Sequence, residues 1–233
     1  MATSTAEAKH GEVQDFKADV APAGGPNQLG WGVWPLWVAA CVAGNAGGAL
    51  AFAPTAHIAP DAPEFLRTIA NWAPVLFAAT FPGLLQWLIF RRWFSGAGWW
   101  ILATGVGSLL GFWGLIGGGI AEDTGGGRFA VWSSFTLGGV GLGAVEWLVL
   151  RRWSARSGVL VLVCWVLART IGWLGATWVF TSLSKAAEGW AGGLLGGAAC
   201  GALSGAITGL ALVWLMRYTK VNQSSASVVA RRA

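Results

Sequence analysis

Two residues with formal charges, Glu146 and Arg169, lie well inside long apolar runs of this 233-residue chain. A carboxylate or guanidinium at that depth is costly unless it finds a partner, so such groups usually face the interior of a helical bundle. Counted along helices, Glu146 sits about 7 Å and Arg169 about 16 Å below the membrane face that carries the arginine-rich turns. Helical side chains lean toward the helix N-terminus, which tilts these two toward each other if their helices are antiparallel. The spacing therefore predicts an ion pair. It has two readings: a polar clamp between helices, or a site for a proton or a polar substrate group. Gln86 and Asn45 are the accessory polar groups in neighbouring runs. Trp165 and Trp173 stand one helical turn either side of Arg169, so its stem is expected between two rings with some cation–π benefit. Trp113 and Trp178 are the other deep tryptophans.

Other chemistries find no residues. The two histidines, His10 and His57, fall outside the apolar runs, which argues against imidazole-held haem or chlorophyll. Carboxylates do not cluster for a metal, and no glycine-rich loop precedes a Lys. Gly201-Ala202-Leu203-Ser204-Gly205 departs from the Gly-x-Ser-Gly spacing and has no histidine base. Cys41, Cys164 and Cys200 lie in apolar runs without metal or redox spacing and read as small buried hydrophobes. Neither a catalytic residue set nor a metal site is expected.

What must position these residues follows from composition. The chain is 55% hydrophobic and only 11% charged, against about 25% charged in a soluble domain. That is too few charges to solvate a globular surface and enough for one covered by lipid. Apolar segments near the roughly 20 residues needed to cross hydrocarbon span Trp31–Ala53, Trp72–Phe90, Trp99–Ala121, Phe129–Leu150, Val159–Phe180 and Trp190–Met216. These runs are continuous rather than alternating, so the fold class is all-α, an integral membrane bundle of six transmembrane helices. Residues 1–30 read as a disordered cytoplasmic segment without a signal peptide, 31–218 as the transmembrane domain, and 219–233 as a flexible basic tail.

Basic residues sort by side. Arg91, Arg92, Arg151, Arg152, Arg156, Arg217, Lys220, Arg231 and Arg232 mark one face; Arg67, Arg128 and Lys185 mark the other, among Asp61, Glu64, Glu122, Asp123 and Glu188. The positive-inside rule then places both termini in the cytoplasm of a bacterial inner membrane. Arg91, Arg92, Arg151 and Arg152 are topology and lipid-headgroup residues, with a specific anionic-lipid or partner site as the alternative. The same pattern argues against a nucleic-acid footprint.

Internal repeats are the most specific signal. Gln86-Trp87-Leu88-Ile89-Phe90-Arg91-Arg92-Trp93 is matched sixty positions later by Glu146-Trp147-Leu148-Val149-Leu150-Arg151-Arg152-Trp153, and more faintly by Val213-Trp214-Leu215-Met216-Arg217-Tyr218. Small residues precede each copy: Gly83; Gly139 and Gly143; Gly205 and Gly209. A unit of two crossings returns the chain to the same side, so the expected plan is three tandem parallel helix-pair repeats about an axis along the membrane normal. The pattern Gly-x-x-(Gln/Glu)-Trp-Leu-x-Leu-Arg-Arg over roughly residues 80–178 resembles a family of multi-pass membrane proteins of bacteria such as cyanobacteria and Chloroflexi. The third copy departs from it, having Leu212 or Val213 where Gln or Glu would stand. The resemblance implies membrane location and repeat architecture and transfers no activity.

Glycines recur every fourth residue at Gly193, Gly197, Gly201, Gly205 and Gly209, with shorter series in the other runs: Gly44 and Gly48; Gly107 and Gly111; Gly139 and Gly143. Such stripes let helix backbones approach closely; the alternative is a groove for a flat lipophilic ligand such as a carotenoid, quinone or lipid. Trp31, Trp72, Trp93, Trp99, Trp100, Trp153 and Trp190 fall at segment ends and are expected to be interfacial anchors. The functional expectation is a non-enzymatic scaffold or accessory subunit, with membrane lipids and other membrane subunits as partners. The alternative is a transporter or binder of a small or lipophilic molecule at Glu146 and Arg169.

Overall fold

The computed structural model describes residues 31–54, 61–94, 96–125, 127–153, 158–186 and 189–230. The expectations for residues 1–30 fall outside them. Six helices follow one another: α1 (Val33–Leu50), α2 (Glu64–Phe90), α3 (Trp99–Asp123), α4 (Gly127–Trp153), α5 (Gly158–Ala186) and α6 (Gly189–Ala230). All six are long and apolar enough to cross a membrane, and among the described residues there is no strand. The outward faces are apolar: Ile120, Phe129, Leu137 and Trp178 are all exposed. A surface of that kind is stable against hydrocarbon and not against water.

Two boundaries differ from the expectation. α2 begins at Glu64, about two turns before Trp72. Pro63 sits at its N-cap and Glu64 in its first turn, where a carboxylate meets the positive end of the helix dipole. Hydropathy marks where a helix enters lipid, not where it starts. At the other end α6 runs to Ala230, past position 219 where composition places a tail. The stretch after Arg217 contains neither Gly nor Pro, so nothing in it stops a helix.

Each helix packs antiparallel on its neighbours in sequence, and α6 packs on α1, closing a ring. Glycines set the spacing. Gly44 of α1 lies against Pro82 of α2, where an added methyl would stand 2.7 Å from the proline Cα. Gly83 meets Thr104, Gly107 meets Leu142, and Gly139 and Gly143 meet Thr170 and Val166. Along α6, Gly197, Gly201, Gly205 and Gly209 lie against Asn45, Cys41, Val38 and Trp37 of α1. With no hydrophobic drive between helices in lipid, this backbone-level contact is what holds the ring together. The fifth glycine of that series behaves differently: nothing lies within 4 Å of a methyl built on Gly193.

The packed core occupies the end of the ring nearest the arginine-rich α2–α3 and α4–α5 turns. Trp37, Phe90, Trp100 and Trp165 are fully buried there with Leu150 and Leu212. Their rings meet edge to face or tilted: Trp37–Phe90 at 5.1 Å, Phe90–Trp100 at 4.8 Å, Trp37–Trp100 and Trp100–Trp165 both at 5.9 Å. The edge-to-face contacts are the arrangement aromatic quadrupoles favour. Trp100 is thus a core residue, not an interfacial anchor. Trp99 beside it is 55% exposed, because successive residues on a helix point about 100° apart. Trp31 and Trp190 are exposed at helix ends, and Trp72 is exposed about two turns inside α2. Trp113 and Trp178, read as deep, face outward at 63% exposure each. The side chain of Trp153 lies outside the described residues.

Candidate functional site

Just inside the aromatic core lies a layer of buried polar groups. Three indoles, one from each odd-numbered helix, donate across to the helix that precedes theirs around the ring. Trp37 Nε1 donates to Thr208 Oγ1 at 3.0 Å, Trp100 Nε1 to Gln86 Oε1 at 2.8 Å, and Trp165 Nε1 to Glu146 Oε2 at 3.1 Å. A buried indole N–H without an acceptor is destabilising, so each bond fixes both a ring and a helix contact.

The same layer joins Glu146 and Arg169. Arg169 Nη2 donates to Glu146 Oε1, forming an ion pair between α5 and α4. Thr104 Oγ1 donates to that same oxygen at 3.2 Å. The carboxylate therefore accepts from three donors on two helices, Thr104 of α3 and Trp165 and Arg169 of α5, and is wholly shielded from solvent. The guanidinium lies 6.0 Å from the centre of the Trp165 ring; Trp173 makes no such contact with it among the described residues and instead lines a cavity. Gln86 is buried and also donates from Nε2 to Cys41 Sγ at 3.2 Å. Asn45 is half-buried, donates to the Cys41 carbonyl at 2.9 Å, and accepts from the Cys200 thiol at 3.7 Å.

Below this layer the ring is hollow. A cavity of about 780 Å³ is lined by all six helices, with Arg169, Gln86, Thr104, Cys41 and Asn45 at its floor. Its walls are formed largely by apolar residues such as Phe112, Leu115, Ala176 and Phe180, and by Gly193. It extends to Phe52, Thr181 and Trp190 at the ends of α1 and α5 and the start of α6, a depth of roughly 18 Å along α5. Phe52, Phe180 and Trp190 are exposed, so the cavity reaches the face opposite the arginine-rich turns. Arg169 itself is 8% exposed. Its Nε, and Nε1 of Trp173, are buried without a hydrogen-bond partner. A buried donor left unpaired is uncommon and calls for an explanation.

Arg91, Arg92, Arg151 and Arg152 are exposed at the far end, beyond the aromatic core and away from the cavity. Arg91 lies 5.3 Å over Trp87, Arg151 5.4 Å over Trp147, and Arg152 5.4 Å over Trp99. Among the described residues no group of three or more His, Cys, Asp or Glu is placed to hold a metal ion. Searches returned no matching family model, no matching curated protein and no matching solved structure.

Sequence reasoning missed Trp37, Trp100, Cys41, Thr104 and Thr208. A signal was present: Trp37, Trp100 and Trp165 recur about sixty residues apart, each followed four residues later by Cys41, Thr104 or Arg169. Read beside the Gln86 and Glu146 copies, that series would have located the polar layer. No sequence pattern marks the cavity below it.

Proposed function

We propose that the protein is a non-enzymatic membrane binder or carrier that holds a lipophilic molecule inside its helical ring. The observation that carries this reading is the cavity of about 780 Å³, apolar along its walls, with the buried Arg169 at its floor. Ligand sites are concave, mostly apolar and furnished with a few polar groups that set orientation. A scaffold or accessory subunit, the expectation from sequence, is supported by the glycine contacts and the apolar outer surface. It gives no reason for the void: packed interiors leave few spaces larger than a water molecule.

Gly193→Phe tests the reading directly. Gly193 lines the cavity and a methyl there meets nothing, so an aromatic ring can fill the space without forcing helices apart. Native mass spectrometry of protein purified in mild detergent should find a bound lipophile near one per chain in the wild type. The variant should lose at least about nine-tenths of it at an unchanged melting temperature. Equal occupancy in both, or an empty wild type, rejects the proposal.

The bundle is read as three tandem helix pairs about an axis along the membrane normal. Support comes from the three indole bonds, each running from an odd helix to the even helix before it. Glycines repeat the pattern: Gly83 of α2 faces α3, Gly143 of α4 faces α5, and Gly209 of α6 faces α1. The third unit is the divergent one, with Thr208 taking the indole bond and Val213 in the Gln/Glu position.

With Arg91, Arg92, Arg151 and Arg152 facing the cytoplasm of a bacterial inner membrane, the cavity opens on the outer face. A reporter active only in the cytoplasm should work when fused after Lys220 and fail when inserted between Asp61 and Arg67. The reverse result inverts the topology.

A further inference from the structure

We infer that the occupant of the cavity is an uncharged lipophile with a carbonyl or similar hydrogen-bond acceptor at one end, bound acceptor-first at Arg169. This rests on the ligand-cavity reading and adds the chemical class. Three features of the floor point to it.

The first is the balance of donors and acceptors. The amide and carboxylate oxygens near the floor each already accept at least one hydrogen bond. Gln86 Oε1 accepts from Trp100, Asn45 Oδ1 from Cys200, and the Glu146 carboxylate from Thr104, Trp165 and Arg169. Donors are in surplus, because a guanidinium carries five N–H groups and Arg169 places one on Glu146 while its buried Nε has none. A ligand head that accepts therefore meets an unused charged donor, while one that donates competes for oxygens already in use.

The second is charge. The Arg169 cation is already paired with Glu146, so the floor is neutral as a unit. A carboxylate or phosphate head would leave one net negative charge in a site shielded from water, and a cationic head would stand beside the Arg169 cation with no free carboxylate to balance it; both are costly in a low dielectric. A neutral carbonyl can accept from the Arg169 side chain that lines the cavity without unbalancing the pair.

The third is shape. The charged and amide groups of the cavity lie at one end, and over the roughly 18 Å beyond them the wall is mainly apolar, interrupted only by hydroxyls such as Thr177 and Thr181, which matches a molecule with one strongly polar end and a long apolar body. Pure hydrocarbons fit the wall and leave the donors unmet.

The test uses the full chain in detergent and three probes of equal length with brominated tails: an alkyl methyl ketone, the alkane, and the fatty-acid anion. Quenching of tryptophan fluorescence reports binding, since Trp173 and Trp190 line the cavity. The ketone should bind at least about ten-fold tighter than either other probe, as expected for a hydrogen bond from a charged donor. Glu146→Gln leaves the Arg169 charge uncompensated, so the anion should gain about ten-fold or more relative to the ketone. The double change Glu146→Gln with Arg169→Leu should bring the ketone down to the alkane and leave alkane binding as it was. That second variant guards against a single change that fails to fold. If the anion binds tightest to the wild type, or ketone and alkane bind alike, and Gly193→Phe still blocks them, the class is wrong and the cavity reading stands. Should no probe quench the wild type, or should all bind equally to Gly193→Phe, the cavity reading itself fails.

Discussion

Arg169→Leu alone is expected to destabilise the bundle by roughly 3 kcal/mol, the range for removing one partner of a buried ion pair. The physical cause is not the lost attraction as such. It is the carboxylate left behind at a position with no access to solvent. Glu146 would keep its bonds from Thr104 and Trp165, and a carboxylate stranded in this way can take up a proton rather than remain charged, which caps the loss. Glu146→Gln mimics that neutral form. Glu146→Gln with Arg169→Leu should therefore be more stable than Arg169→Leu alone. A double-mutant cycle on thermal melts in detergent should return a coupling of at least about 0.6 kcal/mol and up to about 1.7 kcal/mol, the span measured for polar contacts within membrane bundles. Simple additivity of the two changes would mean that the pair contributes nothing specific.

Gly201→Ala should be nearly as damaging, at about 2 kcal/mol net. An alanine methyl would stand 2.6 Å from the Cys41 carbonyl carbon and 2.7 Å from Val42 Cα. Both are backbone atoms of α1, so no side chain can rotate away and the whole α1–α6 contact must open. Overpacking costs typically 1–3 kcal/mol, and a clash between two backbones belongs at the upper end. Alanine is the better helix former by about 1 kcal/mol, which offsets part of the cost and does not reverse it. Gly193→Ala is the control: it sits on the same helix two turns away in open space and should cost no stability, and by helix propensity gain up to about 1 kcal/mol. Loss of the α1–α6 contact also strains the Trp37–Thr208 bond, so Gly201→Ala should shift the emission of the buried tryptophans. Equal melting temperatures for the two alanine variants would show that this glycine stripe is not a packing surface.

The contrast between Gly193 and Gly201 shows where reading the sequence stops. Both belong to one series of glycines four apart, and spacing alone gives them one role. Whether a glycine is a contact or a gap depends on what the next helix puts opposite it. α1 lies against Gly201 and Gly197 and ends at Leu50, and nothing lies within reach of Gly193, which lines the cavity. Tryptophans divide for the same reason. Trp99 and Trp100 are indistinguishable by type and position in the sequence, yet one is exposed and the other fully buried.

What the sequence by itself determined is the material of the protein: six apolar runs long enough to cross hydrocarbon, and two charges within them that each needed a partner. Both follow from the cost of exposing unpaired polar groups to lipid, a one-body penalty that can be summed residue by residue. The tertiary structure decided the closure of α6 on α1, the stacking of Trp37, Trp100 and Trp165, and the cavity beneath them. Those features depend on which faces of separate helices meet. When lipid is as apolar as the helix surface, that choice is made by shape and by a few hydrogen bonds between residues far apart in the chain, and hydropathy does not register either.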